Sequence, residues 1–225
     1  DAIPSDPGIV YSMHYGANLI SFPIAGSVGI ADGIPDDVEG FFTGIIGEGV
    51  AASPNPVLGW VGSLSSFEGG KGYWAKVDEA ISFEFIVDGS SERSSNGQYN
   101  DIGFEYNQST EQAFYFVKQF ELQSTEITYD DWLLAYCGDQ VVGARQYCGE
   151  FTDIPTMGDD GFEYSEGYLQ EGDIPTFKIY DVSEDRIYSA FPSNNFAFAD
   201  AQIFFVDEIS GMLEYELSLH EGANL

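Results

Sequence analysis

The stretch Ser12-Met13-His14-Tyr15-Gly16-Ala17-Asn18-Leu19 returns at the end of the sequence as Ser218-Leu219-His220-Glu221-Gly222-Ala223-Asn224-Leu225. Six of the eight positions are identical, and the 2 histidines of the chain occupy equivalent places. An alternating apolar run leads into each copy: Ile9, Tyr11, Met13 and Tyr15 at the front, and Leu213, Tyr215, Leu217 and Leu219 at the end. Such alternation is typical of a half-buried strand. We therefore predict that each copy is a strand with which a β-rich domain begins.

Two interpretations of the second copy stay open. In the first, the sequence is part of a longer tandem-repeat protein, and residues 213–225 open its next domain. In the second, these residues pair with a sheet edge of the next subunit, because an exposed strand with an apolar face readily pairs and strand addition is a known route to polymers. The predicted assembly residues are Leu213, Tyr215, Leu217, Leu219 and His220, together with Ile9, Tyr11 and Met13.

The composition predicts a mainly β protein. The 225 residues suffice for two domains of ordinary size, and a hydrophobic share of 44% supplies their cores. The 26 glycines, many tyrosines and phenylalanines, and short apolar runs favour sheets joined by tight turns. We predict two β-rich, sandwich-like domains with one short helix in the first. The predicted bounds are 1–8 for a tail, 9–89 for the first domain, 90–100 for a linker, 101–212 for the second domain and 213–225 for a terminal strand.

Local patterns place several elements within these domains. Asp36 and Asp37 precede apolar residues at 38, 41, 42, 45 and 46, a pattern that predicts the short helix. Two hairpins are predicted, one turning at Gly138-Asp139 and one at residues 183–185. A further turn is predicted at residues 207–211, between strands at 201–206 and 213–219.

The charge of the chain is strongly negative, with 38 acids against 7 bases and a formal net charge of −31. A surface of this kind repels nucleic acid and anionic lipid, so both are excluded as partners. It makes calcium the most plausible ligand, and we expect Asp159, Asp160 and Glu163 to supply oxygens, with Asp153 near them; a solvated loop without an ion is the alternative. No apolar run is long enough to span a bilayer, and a start at Asp1 without a signal peptide indicates a processed, exported chain.

Three further sites are candidates. In an exported protein Cys137 and Cys148 are expected to form a disulfide, with two free thiols as the alternative. Trp60 and Trp74 could stack on a sugar ring, although aromatic side chains in a sheet usually belong to the core. Asn107 begins an acceptor pattern for N-glycosylation, Asn107-Gln108-Ser109.

An enzymatic function is not predicted. A serine hydrolase needs a nucleophile, a base and an orienting acid, but the histidines lie only at opposite ends of the chain and no Gly-x-Ser-x-Gly elbow occurs. A glycosidase needs two carboxylates across a cleft, and among 38 acids the sequence cannot nominate the pair.

Several motifs resemble a module of secreted, multi-domain bacterial surface proteins. They are Gly16-Ala17-Asn18-Leu19-Ile20-Ser21-Phe22-Pro23, Gly62-Ser63-Leu64 and Gly70-Lys71-Gly72-Tyr73-Trp74, although that module usually has tryptophan where Ala17 stands. Asp131-Trp132-Leu133, Gly138-Asp139 and Val142-Gly143-Ala144-Arg145 resemble its frequent neighbour. The resemblance implies export and a structural or adhesive role. We expect a structural subunit of an extracellular filament or surface fibre, with a carbohydrate-binding or adhesive module as the alternative.

Overall fold

Strands dominate the computed structural model, which describes residues 8–87, 103–123 and 125–213. Strands make up 49% of the structure and helices 6%, so the predicted mainly β fold class is confirmed. The predicted linker at 90–100, most of the predicted tail and residues 214–225 lie outside the described ranges.

The first half of the chain forms one larger sheet and two small ones. Its strands are β1 (Tyr11–Met13), β2 (Gly16–Ser21), β3 (Ser27–Gly29), β4 (Phe42–Ile46), β5 (Ala51–Asn55), β6 (Gly59–Val61), β7 (Ser66–Glu68), β8 (Gly72–Val77) and β9 (Ile81–Phe83). The larger sheet has the order β2-β8-β4-β5-β6, while β1 pairs with β9 and β3 with β7. Alternate residues of β8, namely Tyr73, Ala75 and Val77, are buried in the first core, because a strand directs every second side chain to the same face.

Two short helices, rather than one, lie between β3 and β4: α1 (Ile30–Gly33) and α2 (Asp36–Glu39). The predicted helix starts at Asp36 as expected, but its extension through residue 46 is wrong, because Phe42–Ile46 is strand β4. Ile45 faces the first core and Ile46 faces the second half of the chain, so both sides of this strand are buried. A strand buried on both faces is apolar at consecutive positions and is therefore easily mistaken for a helix.

The second half of the chain forms a seven-stranded sheet that curls almost into a barrel. Its strands are β10 (Gln112–Leu122), β11 (Trp132–Cys137), β12 (Gln140–Gln146), β13 (Thr152–Met157), β14 (Thr176–Asp181), β15 (Arg186–Pro192) and β16 (Ile203–Met212), in the order β12-β11-β14-β15-β16-β10-β13. The two edge strands, β12 and β13, lie side by side. A Cβ atom at Gly143 would be 1.8 Å from the carbonyl oxygen of Pro155, so only glycine permits this close approach.

The two predicted hairpins are confirmed as β11–β12 and β14–β15. Gly138 and Asp185 have positive φ angles in the connecting turns, as tight hairpin turns often require. The predicted turn at residues 207–211 is wrong, because β16 continues unbroken from Ile203 to Met212. The physical reason is that Ile209 is fully buried and residues 208–211 pair in parallel with β10.

Among the described residues, three apolar clusters hold the fold together. One fills the near-barrel and one lies within the first half of the chain. The third joins the two halves, with Ile46 and Ala51 of the first sheet packed against Phe114 and Phe116 of β10. The described parts of the two halves therefore share a buried apolar contact.

Candidate functional site

The front copy of the repeated motif forms a bend between β1 and β2. Gly16 has a φ of 96°, in the left-handed region that favours glycine. Asn18 closes the bend: its Oδ1 accepts from the His14 amide N–H (3.0 Å), and its Nδ2 donates to the carbonyl oxygens of His14 (2.8 Å) and Gly16 (3.1 Å). The His14 ring nitrogen Nδ1 lies 2.8 Å from the carbonyl oxygen of Tyr15. His14, Gly16 and Asn18 thus shape the bend, and the same three residue types stand in the second copy.

The two copies of the motif differ at two positions, and the surroundings of Met13 and Tyr15 in the first copy are compatible with the residues found in the second. Met13 is 4% exposed, and the second copy has Leu219 there, which is also apolar and of similar volume. Tyr15 is 74% exposed, and the second copy has Glu221 there, which is suited to solvent. The second copy therefore keeps the residue types that the bend of the first copy requires.

The structure places the front assembly residues within their own half of the chain. β1 pairs with β9, and the Tyr11 ring lies 5.7 Å from that of Phe83 and 5.4 Å from that of Phe85, measured between centroids. Ile9 is exposed. Leu213 is partly buried against the core of the near-barrel. Tyr215, Leu217, Leu219 and His220 lie outside the described residues.

Strand β2 is a free edge of the five-stranded sheet, since β8 is its neighbour on one side and no described strand lies on the other. Its sequence, Gly-Ala-Asn-Leu-Ile-Ser, contains neither a charged residue nor a proline, the usual devices that protect a sheet edge from pairing. The opposite edge, β6, has only three residues and contacts α1. The edges of the seven-stranded sheet lie against each other. Within the described ranges, β2 is therefore the longest edge without a neighbouring strand.

An apolar row crosses the outer face of the same sheet. Leu19 is opposite Trp74, Trp74 is opposite Ile46, and Ile46 is opposite Ala51, so the four side chains share one face. Their exposed fractions are 67%, 41%, 1% and 0%. The phenylalanines of β10 cover the Ile46 and Ala51 end. The row is thus buried under the second half of the chain and open at the free edge.

A buried polar cluster lies at the junction of the two halves. Asp153, which is 0% exposed, accepts a hydrogen bond at Oδ2 from Ser63 Oγ (2.6 Å), and Arg145 Nη2 lies 3.4 Å from the same oxygen. Arg145 Nε donates to the Asp153 carbonyl oxygen (2.9 Å) and Nη2 donates to the Gly49 carbonyl oxygen (2.6 Å). One guanidinium therefore connects β12, β13 and the turn between β4 and β5.

The electrostatics of this cluster follow from its burial. Desolvation raises the pKa of Asp153, although the positive charge of Arg145 and the hydrogen bond from Ser63 act in the opposite direction. Asp153 Oδ1 has no hydrogen-bond partner among the described residues. Because the carboxylate is closed off from solvent, the cluster can orient the two halves but cannot reach a dissolved substrate.

Further polar contacts cross the same junction. Lys76 Nζ donates to the Ala201 carbonyl oxygen (2.9 Å). Gln112 Nε2 donates to the Gly47 carbonyl oxygen (2.9 Å), and its Oε1 accepts from the Gly49 amide (3.1 Å). The turn between β4 and β5 is thus held by side chains of the second half at both of its glycines.

This junction is not predicted from the sequence. Arg145 is the last residue of the motif Val142-Gly143-Ala144-Arg145, and Asp153 is predicted only as an acid near the calcium loop. A usable signal was present, because Arg145 is one of 7 bases in a chain with 38 acids and lies in a strand beside glycine and alanine. A rare cation in such a strand indicates a buried partner of opposite charge.

The predicted disulfide is not formed, and both cysteines are free thiols. Cys137 pairs with Gln140 at the turn of the β11–β12 hairpin, whereas Cys148 lies beyond Gln146 at the open end. Gln146 is opposite Trp132, which lies five residues before Cys137, so the ladder alone separates Cys137 from the open end by about 17 Å at the usual rise of a strand. A disulfide cannot bridge Cα atoms more than about 7 Å apart.

The predicted calcium ligands are not assembled into a site. Within residues 8–87, 103–123 and 125–213 there is no group of three or more His, Cys, Asp or Glu side chains that could hold a metal ion. Asp160 instead accepts hydrogen bonds from Thr110, Tyr164 and Ser165. Desolvation works to raise the pKa of Asp160, but these hydrogen bonds outweigh it and hold the pKa well below its ordinary value. The loop is therefore organised by its own polar contacts.

The two predicted sugar-binding tryptophans lie on opposite faces of the five-stranded sheet. Trp60 is opposite Pro54 and packs against the first core, and its Nε1 donates to Glu39 Oε1 (2.6 Å). Trp74 is 41% exposed on the outer face. They therefore cannot form one stacking platform. Asn107 is exposed, and its Nδ2 donates to the Tyr164 carbonyl oxygen (3.0 Å).

No helix in the described part of the chain is long and apolar enough to cross a membrane. No protein-family model matches the chain, and comparisons with curated proteins and with solved structures find no match either.

Proposed function

We propose that the chain is a structural subunit of an extracellular bacterial filament or surface fibre. The subunits are assembled head to tail, and residues 213–225 join each subunit to the next. The observation that carries this proposal is the repeated motif, whose second copy keeps the residue types that form the bend at Gly16. The same local structure is therefore expected at both ends of the chain.

A second copy of the motif cannot take the place of the first, because the front copy already occupies it: β1 pairs with β9 and β2 pairs with β8. A second copy from a neighbouring subunit must therefore add to an edge that has no strand beside it. This is strand complementation between neighbours.

The junction between the two halves suits a subunit that transmits tension. The apolar contact at Ile46 and the buried hydrogen bonds of Arg145 hold the halves together in more than one place. A surface with a net charge of −31 keeps single subunits apart until a specific contact forms.

The strength of the joint can be bounded from its apolar side chains. Leu213 packs against its own chain, which leaves Tyr215, Leu217 and Leu219 for a neighbour. Three such side chains contribute about 5–9 kcal/mol when fully buried. Association costs about 4–15 kcal/mol in lost freedom. Backbone pairing along the added strand is therefore needed for a stable joint.

The proposal is tested by removing residues 214–225. We expect folded, monomeric chains that form no polymers, as measured by sedimentation and negative-stain electron microscopy. The matched control replaces the same residues by a scrambled sequence of identical composition, which should also fail to polymerise. Polymers formed by the shortened chain would refute a role for these residues in assembly.

A further inference from the structure

We infer that the free edge of β2 receives residues 214–219 of a second copy of this chain, as a sixth strand of the five-stranded sheet. The inference rests on the proposed function and specifies the surface that the joining segment contacts. The backbone of β2 has no described strand on its outer side, and its sequence has neither a charge nor a proline to prevent pairing.

The two faces of this edge differ in how well they are covered. On the inner face Ile20 is 5% exposed, so little apolar surface remains to be buried there. On the outer face Leu19 is 67% exposed and Trp74 is 41% exposed. An added strand with one apolar face therefore buries most surface when that face extends the row of Leu19 and Trp74 outward.

The occupant fits this requirement in pattern and in length. Tyr215, Leu217 and Leu219 alternate with polar residues, so as a strand they share one face. The 12 residues after Leu213 can reach about 40 Å when extended, and the six residues of β2 span about 20 Å. Residues 214–219 can thus pair along the whole of β2. Because Leu213 directly precedes them and packs against its own chain, the two copies must lie next to each other at this joint.

Charge favours the β2 edge over a groove near the front of the chain. A groove of about 310 Å³ beside β9 is lined by residues that include Asp37 and Glu84. The joining segment carries Glu214 and Glu216, which these carboxylates would repel. β2 presents no charged side chain.

The test compares two variants of the full chain, Leu19→Asp and Val57→Asp. Both replace an exposed apolar side chain by a carboxylate, but Val57, which is 87% exposed, lies in the turn between β5 and β6. We expect Leu19→Asp to raise the concentration needed for polymerisation by at least about tenfold, since it places a charge in the new contact. Val57→Asp should leave that concentration unchanged, and both variants should keep the thermal midpoint of the unsubstituted chain.

The outcomes separate this inference from the proposed function. If Leu19→Asp polymerises like the unsubstituted chain while removal of residues 214–225 abolishes polymers, the segment docks elsewhere and the inference is overturned, but the proposed function stands. If the unsubstituted chain forms no polymers under any condition tested, both are overturned. An equal loss in both aspartate variants would mean that general repulsion, and not the β2 edge, controls assembly, which also overturns the inference.

Discussion

The junction between the two halves and the free edge of β2 are two ends of one apolar row. At the junction, Ile46 and Ala51 are covered by the phenylalanines of β10, and a buried polar cluster lies at the same junction. At the edge, Leu19 and Trp74 belong to the same row but lack such a cover within the described structure. The difference shows that one sheet face is buried at one end and open to solvent at the other. The covered end holds the two halves together, and the open end is the surface that we propose for a second copy.

The largest effect on the free energy of unfolding is expected from a substitution that breaks the junction. Arg145→Met removes the cation and leaves the fully buried Asp153 carboxylate uncompensated, which should lower the free energy of unfolding by about 3–5 kcal/mol. The measurement is chemical denaturation of the monomer followed by circular dichroism.

Arg186→Met is the matched control, because its ion pair with Glu184 is largely exposed. An exposed pair contributes at most about 1 kcal/mol. Equal losses in the two variants would contradict the role given to the junction, since a buried and an exposed ion pair would then be equivalent.

A smaller effect is expected in the pH dependence of the free energy of unfolding, which tests the burial of Asp153 at the junction. Burial raises the pKa of Asp153 in the folded chain, so the folded state holds its proton to higher pH than the unfolded state. The stabilisation that protonated Asp153 contributes is fully present below its pKa in the unfolded chain, about 3.9. It is lost as pH rises through the raised pKa of Asp153 in the folded chain. The free energy of unfolding of the unsubstituted chain should therefore fall, relative to that of Asp153→Asn, as pH rises through this window. A difference that stays constant with pH would show that the pKa of Asp153 is not raised.

Some elements are predictable from sequence because their signals are local. The hairpin at Gly138 is one, since the turn residues Gly138-Asp139 stand between two short apolar runs. Strand β13 is not predicted, because Asp153 and Pro155 are residue types depleted in strands. Proline is tolerated there because β13 is an edge strand, where a missing backbone donor leaves no ladder bond broken.

The candidate site is predictable only in part, because some of its features are local in sequence and others depend on contacts between distant segments. The repeated motif is visible in the sequence, and so is the alternation that leads into it. Leu19 and Ile46 lie in one row because β2, β8 and β4 are neighbours in this order in the sheet. No local sequence pattern predicts that order. The partnership of Arg145 with Asp153 likewise depends on the closure of the near-barrel, which brings β12 beside β13.

Amide hydrogen exchange on the full chain, in its polymeric and dispersed forms, tests the central claim most directly. If residues 214–219 of a neighbour pair with β2, the peptides that cover Gly16–Ser21 should exchange more slowly in the polymer, while those that cover β5 and β6 should exchange at the same rate in both forms. Unchanged exchange in β2 upon polymerisation would contradict the claim that this edge joins the subunits.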